Sequence, residues 1–129
     1  MFYRGCRRAA LARFGWLVMI LLANVPPHAL AHAIVVAAKP QAKSRIAGPE
    51  VPVDLEFNSR IDASRSRLAV LDSAGTATPL AIDPTAPANH LRATARGLTE
   101  GAYVLEWYVL STDGHITRGR LKFSVFSDG

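Results

Sequence analysis

The side chains in this sequence best suited to chemistry are four histidines and one short acidic loop: His28, His32, His90, His115 and the run Ser111-Thr-Asp113-Gly-His115. Asp113 and His115 are two residues apart, so in an extended segment they emerge on one face, and Gly114 between them lets the backbone turn. A carboxylate oxygen and an imidazole nitrogen on one loop make half of a metal site. Asp-Gly between two strands is equally a hairpin signal, so the pair is weak evidence taken alone. His32 gains importance if the chain is cut after Ala31. Its α-amine and imidazole would then be two nitrogen donors on one residue, able to close a chelate ring, a pair that favours copper(II) with its tetragonal nitrogen and oxygen ligation. His28 precedes that cut. His90 has no acidic or histidine neighbour in the sequence and reads as an edge histidine rather than a ligand.

The cut is itself an expectation from the first 31 residues. Arg4, Arg7, Arg8 and Arg13 precede an apolar run from Phe14 to Ala23, and Asn24 to His28 leads to Ala29-Leu30-Ala31. That is the order of a cleavable secretory signal, and about ten apolar residues are too few for the ~20 of a membrane span. Residues 1–31 are therefore expected to be the signal and residues 32–129 the mature domain, in the periplasm. Cys6, Met1 and Met19 all fall within the signal, which leaves the mature chain without a thiol or thioether, hence without disulfides or a soft metal site. Its 11 lysines and arginines against 10 acids show no basic run, so no nucleic-acid partner and no membrane insertion after cleavage are expected.

The elements that must carry His32 and the Asp113 loop read as β structure. Val51, Val53, Leu55 and Phe57 alternate with Pro52, Asp54 and Glu56, and Leu121, Phe123 and Val125 alternate with Arg120, Lys122 and Ser124. Further strands are predicted at Ala33–Ala37, Arg67–Leu71, Thr78–Ile82, His90–Thr94 and Tyr103–Leu110, with Gly119–Phe126 as the last. Ile61 to Leu68 has poor apolar spacing and reads as a connection. Seven short strands punctuated by turn residues predict an all-β, Greek-key sandwich or barrel of immunoglobulin-like form.

The segment from Leu98 to Val125 resembles the C-terminal signature of the CopC family of copper-resistance proteins, G-x-Y-x-V-x-W-x-x-x-S-x-D-G-H-x-x-x-G-x-x-x-F-x-V. The match through Gly101, Tyr103, Trp107, Ser111, Asp113, His115, Gly119, Phe123 and Val125 is near complete, with Leu105 and Glu106 standing between Val104 and Trp107. A histidine just after the signal, then Lys39-Pro40 to Ser44 and Val53 to Phe57, also resembles the family. The resemblance implies a periplasmic seven-stranded sandwich that carries or buffers one copper(II). Its ligands would be the amine and imidazole of His32, the Asp113 carboxylate and the His115 imidazole, and its partner an integral-membrane copper transporter. The methionine-rich copper(I) site of some members has no counterpart in residues 32–129. Two other readings remain: an oxidative enzyme built on a copper brace, and a metal-free immunoglobulin-like binding module. The brace is disfavoured because Asp113 fills the position that an oxygen-activating centre leaves open, and the protein is not expected to be an enzyme.

Overall fold

Alternation between buried and exposed residues governs the architecture seen in the computed structural model, which describes residues 33–128. Eight strands form two sheets: β1 (Val35–Lys39), β2 (Arg45–Ala47), β3 (Val51–Phe57), β4 (Ile61–Leu71), β5 (Ala77–Leu80), β6 (His90–Ala95), β7 (Gly101–Ser111) and β8 (Ile116–Phe126). One sheet has the order β1-β3-β6 and the other β2-β8-β7-β4-β5. The chain passes between sheets at β1–β2, β2–β3, β3–β4, β5–β6 and β6–β7, the interlocked connectivity of a Greek-key sandwich. No helix among the described residues is long and apolar enough to cross a membrane.

The core is the meeting of two inner faces. Val51, Val53, Leu55 and Phe57 of β3, with Leu91 and Ala95 of β6, face Leu68 and Val70 of β4, Leu105 and Val109 of β7, and Leu121, Phe123 and Val125 of β8. Burial of such side chains, at about 1.5–3 kcal/mol each, is the main favourable term for a domain without a cross-link. Tyr103 stacks on Phe123, its partner in register, with centroids 5.8 Å apart, and its hydroxyl donates to the Thr99 carbonyl at 2.9 Å. That bond satisfies the polar end of a buried ring.

Two departures from the sequence-based expectation have local causes. Ile61–Leu68 is no connection: it is the first part of β4 and pairs with β7. Five steps along β4, from Asp62 to Arg67, oppose two along β7, from Leu110 to Tyr108. The extra residues are bulged out of the ladder and destroy the alternation over this stretch. Ser66 repairs the gap, its hydroxyl donating to the Asp62 carbonyl at 2.6 Å while accepting from the Leu110 amide at 3.1 Å. The eighth strand, β2, lies beyond the seven expected because three residues carry no periodicity; it is held parallel to the end of β8 with Arg45, Ile46 and Ala47 opposite Ser124, Val125 and Phe126. The expected signal, its cleavage point, His28 and His32 lie outside the described residues.

Candidate metal centre

The longest antiparallel pairing in the fold, β7 with β8, ends in the Asp113 loop. Its ladder runs from Gly101 opposite Val125 to Leu110 opposite Ile116 and leaves 112–115 as the turn. Ser111, 3 % exposed, closes that turn: its amide donates to the His115 carbonyl at 2.8 Å, and its carbonyl accepts from the Gly114 amide at 2.9 Å. Gly114 has φ +90°, a conformation that residues with a β-carbon rarely adopt. The hairpin signal and the candidate ligand pair thus fall on one structure, since the turn chemistry sets the spacing of Asp113 and His115.

Two donors converge on Asp113 Oδ1, the Ser111 hydroxyl and the His115 amide at 3.1 Å, and His115 Nδ1 lies 3.1 Å from the same oxygen. The Ser111 hydroxyl, then the amide and ring of His115, hold the carboxyl down at about 2, so it is anionic across the physiological range. The carboxylate is 40 % exposed and the ring 35 % exposed, although the Nδ1 edge of the ring is itself buried against the turn. Two donors ~2.0–2.2 Å from one first-row ion at adjacent corners stand roughly 3 Å apart. The Oδ1–Nδ1 separation, 3.1 Å, is of that order, and an ion taken between the two atoms would replace the contact they make with each other. Among the described residues no group of three or more His, Cys, Asp or Glu side chains could hold a metal ion, so Asp113 and His115 could hold one only together with further donors.

The start of the described chain lies at the same end of the sandwich. Asn58, in the turn after β3, grips Ile34 from both sides: its Oδ1 accepts from the Ile34 amide at 2.8 Å, and its own amide donates to the Ile34 carbonyl at 2.9 Å. Two residues on, the Arg60 carbonyl accepts from the Thr112 amide at 3.2 Å, and Ile61 pairs with Ser111. Residues 58–61 therefore link the chain's beginning to the turn that carries Asp113. Ala33 is fully buried there. The sequence around Asn58 does not announce this role, because a contact spanning 24 residues has no local signal.

His90 needs a correction. It does have an acidic neighbour: its Nδ1 lies 2.7 Å from Asp54 Oδ1, and Arg92 Nε donates to the other oxygen at 2.9 Å. Burial pushes the Asp54 carboxyl up, but bonding and charge from His90 and Arg92 outweigh it, and the net shift is downward. With an arginine on the same carboxylate, this trio is an ion-pair network on the outer face of β3 and β6 rather than a metal site. Trp107 packs partly against the core and covers Gly119, its partner in register, where a β-carbon would collide with the indole.

Comparison with known proteins agrees with this architecture. The family model described as the CopC domain matches residues 35–126. The crystal structure of CopC from Methylosinus trichosporium OB3b superposes with a TM-score of 0.70 at 32% identity, covering 76% of this chain and 97% of that one. PcoC, a methionine-rich copper resistance protein from Escherichia coli, superposes with a TM-score of 0.63 at 26% identity, covering 74% of this chain and all of the other. The copper transport protein CutJ of Bacillus subtilis is 27% identical over 114 residues, which are 85% of this chain but 21% of that protein. The chain spans about a fifth of that relative's length. The fold, the Ser111–His115 turn and the match over nearly all of the described residues lead to one conclusion: this chain belongs to the CopC family.

Proposed function

We propose that the protein is exported, cut after Ala31, and binds one copper(II) in the periplasm as a carrier or buffer, without catalysing a reaction. The ion is held by the α-amine and imidazole of His32, the carboxylate of Asp113 and the imidazole of His115. The observation that carries this reading is the double tether, Ile34 to Asn58 and Arg60 to Thr112, which draws the residue two past His32 and the Asp113–His115 pair to one end of the fold. Family membership and the copper named for CutJ and PcoC supply the choice of metal.

The donor chemistry is consistent with that choice. Three nitrogens and one carboxylate oxygen suit copper(II), and residues 32–129 contain no methionine or cysteine to favour copper(I), in contrast to the methionine-rich PcoC. The donors play different parts. The amine and ring of His32 would chelate, Asp113 would contribute charge that persists at low pH, and His115 would add a further nitrogen. Ser111 and the His115 amide hold the carboxylate in place before the ion arrives, which lowers the ordering cost of binding. A protein delivering such an ion would hand it to an integral-membrane copper transporter.

The test is a copper(II) titration of the secreted protein beside a form with one extra residue ahead of His32, read by quenching of Trp107, the single tryptophan after cleavage. Tight one-to-one binding by the first, and loss of at least about a hundredfold in the second, is the expected result for a lost chelate arm. Equal affinity in the two would sink the amine mechanism, and mass spectrometry showing a terminus other than His32 would remove the site.

A further inference from the structure

The outer face of the five-stranded sheet gathers cations that are scattered along the sequence. On β7 the burial of Tyr103, Leu105 and Val109 turns Glu106 and Tyr108 outward; on β8 the burial of Leu121, Phe123 and Val125 turns Arg118, Arg120 and Lys122 outward. Strand register then sets them in rows: Arg67, Tyr108 and Arg118 lie opposite one another on β4, β7 and β8, and Ala69, Glu106 and Arg120 form the next. The guanidinium carbons of Arg67 and Arg118 sit 5.6 and 5.1 Å from the centroid of the Tyr108 ring. Cation–π contact holds both forks over the sheet.

Arg120 is neutralised by Glu106, with Nη2 2.6 Å from Oε2. Among the described residues, Arg67 and Arg118 have no carboxylate within ion-pair distance. Lys122 extends the row on β8, and Arg45, opposite Ser124 on β2, stacks over Phe126 at 4.9 Å. Against these cations the face carries Glu106 and, at its loop end, Asp62, which is engaged by Ser64 at 2.5 Å and Arg65 at 3.7 Å. A cavity of about 640 Å³ opens among Arg67, Pro79, Tyr108, Arg118 and Arg120.

We infer that this face docks an acidic polypeptide segment of a protein partner, bound in extended form. Guanidinium forks pair with carboxylates in bidentate fashion, and those of Arg67 and Arg118 are already positioned by Tyr108 and lack a partner carboxylate. Arg118, Arg120 and Lys122 repeat every second residue, ~6.6–6.8 Å, which is the spacing of side chains on one side of an extended chain, with Arg118 and Lys122 outside the Arg120–Glu106 pair. An anionic bilayer fits less well, because surface binding of that kind combines mobile basic clusters with apolar anchors. Of the large exposed apolar residues, Val36 belongs to β1 of the other sheet and Ile34 to the segment just before it, which leaves Ile116 alone on this face. Arg118 is three residues from His115, so a docked segment would lie within ~10 Å of the hairpin turn. The docking surface does not depend on copper and is testable without it.

The probe is a fluorescein-labelled peptide of alternating glutamate and threonine, with its glutamine counterpart as reference, titrated with the protein at low salt in the presence of a chelator and followed by anisotropy. Binding of the glutamate peptide alone is expected, weakened at least about tenfold by the double variant R67Q/R118Q and less than about twofold by K39Q/R96Q, which removes equal charge from the end of β1 and the residue after β6. Circular dichroism melts establish that both variants fold. Equal weakening by the two doubles would reduce the effect to net charge and overturn the docking face. No peptide binding, with face-dependent binding to phosphatidylglycerol vesicles instead, would overturn it in favour of a membrane.

Discussion

At the scale of single residues, Asp113 concentrates the electrostatics of the site. Its carboxyl is held at about 2 chiefly by the Ser111 hydroxyl, then by the His115 amide and ring. Removal of that hydroxyl in Ser111→Ala should raise the value toward the ordinary ~3.9, a change that a carbon-13 titration of the Asp113 carboxyl reads directly. Because the folded value lies below the unfolded one, the stabilisation from Asp113 is complete above ~4 and is lost as pH falls through about 2. Between those limits the urea midpoint of the native protein should fall more steeply with pH than that of Asp113→Asn; parallel curves would show that the carboxylate contributes nothing to the fold. A carboxylate that stays ionised to about 2 would not be the cause of copper loss on moderate acidification. In Ser111→Ala the copper affinity should drop by about tenfold to a hundredfold, the range seen when groups supporting a ligand are removed.

At the scale of elements, the hairpin of β7 and β8 carries the Asp113 turn, and the Asn58 tether holds Ile34 at the same end of the fold. Gly119 lies beneath the Trp107 indole, and a methyl there must displace the ring. Gly119→Ala should cost about 1–3 kcal/mol as an overpacked site, visible in urea denaturation together with a shift of the tryptophan emission maximum. An unchanged emission spectrum would contradict this packing. Asn58 acts differently. Asn58→Ala removes the side-chain acceptor for the Ile34 amide, at an exposed position where a net hydrogen bond is worth about 0.5–1.5 kcal/mol. The expected phenotype is a small stability loss with a copper affinity lowered about tenfold, and unaltered affinity would show that the chain start needs no such anchor.

At the scale of the whole molecule, the sandwich brings two distant parts of one chain to one end and leaves a charged sheet face beside them. If that end holds the ion, ligand linkage requires copper to stabilise the fold. Saturation at a hundred times the dissociation constant is worth about 2.7 kcal/mol, and a domain of this size gains ~4–8 °C in melting temperature for each kcal/mol. Processed protein should therefore melt roughly 10–20 °C higher with copper(II), and protein that still carries residues before His32 should show little of this gain. A similar rise in both forms would place the metal elsewhere on the surface.

What was legible in the sequence was whatever is written locally. The strict alternation of Val51 to Phe57 gave β3 its bounds, the turn residues separated the strands, and Asp113-Gly114 marked the hairpin turn between β7 and β8, since side-chain direction along a strand and turn preference depend on adjacent residues alone. Features made by contact between distant segments were not legible. The bulge in β4 broke the period that would have revealed a strand, and Ser66 restores it only by meeting Leu110 across the ladder. Asp54 reached His90 over 36 residues, Asn58 reached Ile34, and strand register collected Arg67, Arg118 and Arg120 on one face although no basic run joins them. Local patterning decided which residues face inward and which turn could bind an ion. Tertiary structure decided what meets across the sheets, because pairing partners are chosen by the burial of whole faces and not by any one segment's own sequence.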